Sequence, residues 1–164
     1  MGFDASRIRW PEWVVGVGGL VLLGSLLLVP WFTLVSLSGP PGPPLGAAYQ
    51  VDGYNGLSLG RWLVLVTVLL ALAAIVSQAR RKAPALPVTL VVLASWAAGL
   101  TFLYLIYRVI INPPGGRGLG GWIGMIAAAA IAYGGYRSVR MEGIAAKDGP
   151  LDIPLIKLGD EGAT

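Results

Sequence analysis

The sequence predicts an all-α, polytopic integral membrane protein: a bundle of four transmembrane helices with both termini cytoplasmic. Three observations predict it. Hydrophobic residues make up 55% of the chain and charged residues 12%, with a mean hydropathy of +0.73, whereas ordinary soluble domains carry about 25% charged residues. Four apolar segments, 14–37, 62–77, 87–107 and 122–136, contain no Asp, Glu, Lys or Arg. Nine of the 12 basic residues fall in the N-terminal segment, the second connection and the tail, and segments rich in Lys and Arg stay cytoplasmic.

Taken in order, residues 1–13 form a cytoplasmic N-terminal segment. The first helix is expected over 14–37. Its apolar run is longer than the roughly 7–15 residues of a signal-peptide core and no small-x-small cleavage site ends it, so it is retained. A bilayer core of about 30 Å needs roughly 20 helical residues. The first and third segments meet that length, and flanking residues extend the others, giving helices over 60–78, 86–107 and 118–136 in a transmembrane domain spanning 14–136. "LVLVTVLLALAAIV" is apolar on every face, unlike the alternating strands of a barrel, and helices close their own backbone hydrogen bonds in lipid.

The outer loop, 38–59, opens with "PPGPP", which favours extended polyproline conformation. It continues with "YQVDGYNG", expected as a short hairpin turning at Val51-Asp-Gly-Tyr. Tyr49, Asp52, Tyr54, Asn55, Arg61 and Trp62 are the candidate outer surface for a partner. The competing reading is a lid over the bundle end, with Asp52 paired to Arg61, because aromatic residues near a membrane surface usually anchor. Trp10, Trp13, Trp31, Trp62, Tyr107, Trp122 and Tyr136 lie near segment ends, as headgroup-level aromatics do. Trp96 alone is mid-membrane, and its indole N–H is expected to point into the bundle or toward a hydroxyl.

Small residues mark the packing faces. Gly120, Gly124, Ala128 and Ala132 recur every four residues in the fourth segment beside Gly121, Met125 and Ala129, and Ala94/Ala98 with Ser95/Gly99 offer a partner row in the third. Such rows allow close helix approach in lipid. Gly16, Gly19 and Gly24 give the first segment a less regular face of the same kind. "LGRWL" at 59–63 and "LGGWI" at 119–123 open the second and fourth helices alike, an echo that fits either a duplicated hairpin or two ordinary interfacial helix starts.

Residues 137–164 form a cytoplasmic tail in which Ile153, Leu155, Ile156 and Leu158 make an apolar cluster broken by Pro154. That cluster is the second candidate docking segment.

The chemistry available is narrow. The chain has no Cys and no His, which removes Cys/His zinc sites, haem ligation by His, thiol nucleophiles and the Ser-His-Asp relay. Asp52 is the only acid outside, so no paired-carboxylate site forms there. "GVGG" lies inside a spanning helix, and "NPPGGRGLGG" lacks the closing Gly-Lys-Ser/Thr of a phosphate loop. No catalytic residue, metal or cofactor is expected; an enzyme would need a cytoplasmic site built from Arg140, Glu142 and Asp148. Nucleic acid is excluded as a partner, since the basic residues border spanning helices and belong with headgroups. The expected partners are the lipid bilayer and either a membrane protein or further copies of the chain.

"RWPEWVVGVGGLVLLGSLLLVPWFTL", "GYNGLS" before the second helix and "GGWIGMIAAAAIAYGGYRSVR" as the fourth together resemble small four-helix integral membrane proteins of unknown function from high-GC actinobacteria, over about residues 8–140. That resemblance implies a bacterial cytoplasmic membrane and carries over no functional residue. The expected role is a non-catalytic structural, accessory or partner-binding subunit. The alternative is an oligomeric channel or small-solute permease whose uncharged pore is lined by hydroxyls such as Thr67, Ser95 and Thr101.

Overall fold

A computed structural model describes residues 9–36, 45–79 and 85–147, with side chains described over 9–36, 45–79 and 89–141. The chain is mostly helical. Helix α1 covers Trp10–Leu28, strand β1 Pro30–Val35, strand β2 Ala48–Asp52 and the short helix α2 Gly53–Gly56. Helices α3 (Gly60–Ala79) and α4 (Ala85–Leu105) follow, and α4 widens into a π-helical turn at Ile106–Ile111. Strand β3 is Gly116–Arg117, and α5 runs from Leu119 to Lys147. Four helical stretches are long and apolar enough to cross a membrane: Trp10–Leu28, Gly60–Ala79, Thr89–Ile111 and Leu119–Met141.

The first helix departs from expectation at both ends. It begins at Trp10, with Pro11 in the first turn, where a missing N–H costs nothing, and with the Glu12 carboxylate accepting a 3.0 Å hydrogen bond from the Arg9 backbone N–H. Glu12, expected in a cytoplasmic segment, is therefore part of the helix and is buried. The helix stops at Leu28 instead of reaching 37, because Pro30 disfavours the helical conformation at the residue before it, and Val29 is extended at φ −111°, ψ 134°. At the other extreme α5 passes the expected limit of 136, since "YRSVRMEGIAAK" is polar but made largely of good helix formers. Loss of apolar character there ends the span without ending the helix.

The four long helices form a ring in which α1 packs on α3 and α5, and α4 packs on the same two. Neighbours run antiparallel: a Cβ on Gly16 would collide with Ile75, and one on Gly19 would touch Ala71 at 3.1 Å. On the other flank of α1, Gly18 meets Ile131, and Gly134 meets the Pro11 carbonyl. Thr101 and Thr67 join α4 to α3 through a 2.7 Å hydroxyl contact; Thr67 donates to the Leu63 carbonyl at 2.9 Å, so Thr101 is the donor between them. Ser95 donates to the Ala132 carbonyl at 3.0 Å and ties α4 to α5.

Trp96 does not enter the bundle. It is 72% exposed, because the inward face of α4 is built from Ala94, Ala98 and Thr101, all fully buried, whose small size draws the neighbours too close to admit an indole. Gly24 likewise faces open space, not a helix.

At one end of the ring lies a small antiparallel sheet in the order β2-β1-β3. Phe32, Thr33, Leu34 and Val35 oppose Val51, Gln50, Tyr49 and Ala48, while Phe32 and Thr33 also oppose Arg117 and Gly116. The expected hairpin turning at Val51-Asp-Gly-Tyr is not formed. Its first half pairs instead with β1, and Asp52 caps α2. Glycine makes the third strand possible: a side chain on Gly115 would strike the Thr33 carbonyl, and one on Gly118 the Pro30 carbonyl.

Candidate functional site

The feature that organises the sheet end is Trp31. Between Pro30 opposite Asp52 and Phe32 opposite Val51 the register slips, leaving Trp31 as an extra residue in β1. A bulge of this kind re-aims its side chain. Trp31 is therefore fully buried, although its place at a segment end predicts a headgroup-level aromatic. Its Nε1 donates to the Ser25 carbonyl at 2.7 Å, in the last turn of α1, a carbonyl that also receives the Val29 backbone N–H at 3.4 Å.

The seat for this indole is made of missing side chains. A Cβ on Gly120 would collide with the pyrrole edge of Trp31, one on Gly124 would lie 2.6 Å from Cη2, and one on Gly53 would lie 2.7 Å from Cε2. Phe32, also fully buried, is seated the same way on Gly56, where a Cβ would lie 2.5 Å from Cδ2. The expected packing row is thus split in function: Gly120 and Gly124 receive an aromatic side chain, whereas Ala128 is buried among the helices and the Ala132 carbonyl accepts from Ser95. Gly60 repeats the device, since a side chain there would collide with Tyr104. The corresponding glycines of the "LGRWL" and "LGGWI" echo, Gly60 and Gly120, therefore each face an aromatic ring from a neighbouring element.

The six outer-surface candidates fall into three groups. Asp52 and Asn55 come together in α2, where the Asp52 Oδ1 accepts from the Asn55 backbone N–H at 2.9 Å and from its Nδ2 at 2.8 Å. Tyr54, Arg61 and Trp62 form a second group, with the Arg61 guanidinium 4.7 Å from the Tyr54 ring centroid and 5.6 Å from that of Trp62, within cation–π range. The expected Asp52–Arg61 pair is replaced by these two arrangements, because helix capping holds the carboxylate and the rings hold the cation. Tyr49 stands apart on β2. Arg108 and Arg117 are taken up by carbonyls, donating to Asn112 O at 3.1 Å and to Ile110 O at 2.9 Å, the favourable placement for cations at a helix C-terminus.

Among the described residues strand β2 has one neighbour, β1. The Ser36 N–H donates to the Ala47 carbonyl at 3.0 Å, so the two-residue alternation of an antiparallel ladder makes Leu34–Tyr49 and Phe32–Val51 the bonded pairs. Ala48 and Gln50 then turn their backbone groups away from β1. Residues 48–50 are exposed, which leaves a short strand edge open among the described residues.

The tail cluster Ile153, Leu155, Ile156 and Leu158 lies outside the described residues, as do Asp148 and the side chain of Glu142. Sequence reasoning missed Trp31 and Glu12. For Trp31 the signal was Pro30 directly before it; for Glu12 it was the spacing of three from Arg9, which sets a carboxylate at the third position of a helix.

No family model matches the chain, and neither a curated protein nor a solved structure matches it.

Proposed function

We propose that this chain is a non-catalytic membrane protein, a structural or partner-binding subunit of a membrane complex, set in a bacterial cytoplasmic membrane with both termini inside. The observation that carries the reading is the open edge of β2 on a cap locked to the bundle through Trp31. Proteins commonly bind extended segments by adding a strand to such an edge, and exposed edges left without a partner are a liability that chains usually blunt. The orientation rests on the nine basic residues of the N-terminal segment, second connection and tail, and it puts the strand edge outside. Thr67, Thr101 and Ser95 bond to one another or to carbonyls, which favours structural hydroxyls over pore-lining ones.

The test is purification from native membranes through a C-terminal tag, with Gln50→Pro beside the wild type. Proline removes an outward N–H from an edge strand without breaking the inner ladder. A stoichiometric protein partner that is retained by the wild type and lost with Gln50→Pro, at unchanged helicity, is the expected outcome. A homogeneous oligomer of this chain alone would displace the reading in favour of an uncharged pore between protomers.

A further inference from the structure

On the outer surface of the bundle, between α1 and α5, runs an open apolar groove of about 500 Å³. Trp13, Val17, Gly18, Ile126, Ala127 and Ala130 are among the residues that line it. The sequence makes it directly: Gly18 has no side chain and Ala127 and Ala130 have short ones, so the two helices touch near Gly18 and Ile131 while a channel is left on their outward side. On α1 the lining extends from Trp13 to Val21, a rise of about 12 Å, parallel to the membrane normal for a spanning helix.

The groove is apolar along its length, and basic residues follow on both helices beyond its Trp13 end. At the level of Trp13, Gly134 of α5 meets the Pro11 carbonyl of α1. One turn further, beyond the start of α1, lies Arg137, seven residues after Ala130 and hence two turns along the same face. Arg9 directly precedes α1 at this level, and Arg140 is one more turn along α5. Among the described residues the Arg137 Nε is buried and has no acceptor. Among the described side chains one acid is near, Glu12, and its carboxylate is buried and receives the Arg9 backbone N–H. The described side chains therefore leave an excess of positive charge where the apolar groove opens at the membrane surface.

From this joining of an acyl-sized apolar groove to a cationic mouth we infer that the α1/α5 groove holds one anionic phospholipid, its acyl chain against Gly18, Ala127 and Ala130 and its phosphate at Arg137 and Arg9. Ordinary boundary lipid exchanges without regard to headgroup; a lipid held here is selected by charge. The inference needs only that the four helices span a bilayer, and it stands independently of any partner at β2.

The full-length protein, reconstituted in phosphatidylcholine nanodiscs doped with phosphatidylglycerol, tests it. Acyl chains brominated on one lipid or the other quench nearby tryptophans, and Trp13→Phe separates quenching at the groove from that at the remaining tryptophans. The groove signal is expected to favour brominated phosphatidylglycerol over brominated phosphatidylcholine by about fivefold or more, the effect of one basic residue near an anionic surface. Arg137→Gln should reduce that preference about fivefold, and Ala130→Phe, which fills the groove, should abolish the groove signal for both lipids. Retention of one phosphatidylglycerol through detergent exchange, read by native mass spectrometry and lost with Arg137→Gln, keeps the test decisive if Ala130→Phe does not fold. Equal quenching by the two lipids, or a preference that survives Arg137→Gln, overturns the inference. So does a dimer that Ala130→Phe dissociates, which would give the groove to a second copy of the chain.

Discussion

Gly120 and Gly124 near the start of α5, and Gly134 and Gly135 in its second half, carry the same sequence signal and serve different physical ends. The first pair receives the indole of Trp31; the second lets helices close in, Gly134 against the Pro11 carbonyl and Gly135 against Ser95, where a Cβ would lie 2.7 Å from the Ser95 Cβ. Close helix approach is what small residues usually provide in lipid. The difference teaches that a row of small residues reports only that something comes near. Whether that is a helix or a side chain delivered by a strand depends on the chain's behaviour elsewhere, here at Pro30. The consequence is energetic as well: the second pair sets helix spacing, whereas the first couples the bundle to the sheet.

Trp31→Ala should produce the largest effect, a loss of about 3–5 kcal/mol for truncating a buried aromatic, measured by reversible unfolding in mixed micelles. Gly124→Leu should cost about 1–3 kcal/mol by overpacking, and less when Trp31→Ala is already present, because the leucine then occupies vacated space. Strict additivity of the two would break the comparison, since residues in contact couple. Gly134→Leu should also cost about 1–3 kcal/mol, yet add to Trp31→Ala within about 0.5 kcal/mol, and that contrast is its sharpest test. Thr67→Val should cost about 0.6 kcal/mol and no more than about 1.7, the average and the maximum for hydrogen bonds between membrane helices, and leave the cap undisturbed by near-ultraviolet circular dichroism. Gly99→Ala should be neutral or stabilising by up to about 1 kcal/mol, since nothing lies within 4 Å of a Cβ at that position.

Much of the architecture was legible in the chain. The second and third spans were readable because charges bracket uninterrupted apolar runs, although the third carries its helix past the expected 107 to Ile111 through a π-helical turn that takes in Arg108. The end of α1 was hidden because "PWFTLV" is as apolar as the helix before it, and a short apolar run reads equally as strand or helix by periodicity; only the proline distinguishes them. Trp31 was misplaced for the same reason, since an aromatic at the presumed end of a span reads as a headgroup anchor. The outer-loop residues could be named from the sequence, but not their grouping. Pairing Asp52 with Arg61 treats charge as the only attraction, whereas a helix start competes for the carboxylate and two rings for the guanidinium. Trp96 was misdirected because its N–H was weighed and the volume available beside Ala94 and Ala98 was not.

The seat of Trp31 also bears on how the protein is made. The indole belongs to the first span's end, while Gly120 and Gly124 follow some 90 residues later in the chain. At about 5–20 residues per second of synthesis, Trp31 waits roughly 5–20 s for its socket after it has left the ribosome. During that interval the Trp31 indole lacks the part of its seat made by Gly120 and Gly124, and β1 lacks its pairing with β3. The fourth span thus completes the packing of the first, and a chain stopped before α5 would present an unhoused tryptophan to the machinery that removes unfinished membrane proteins.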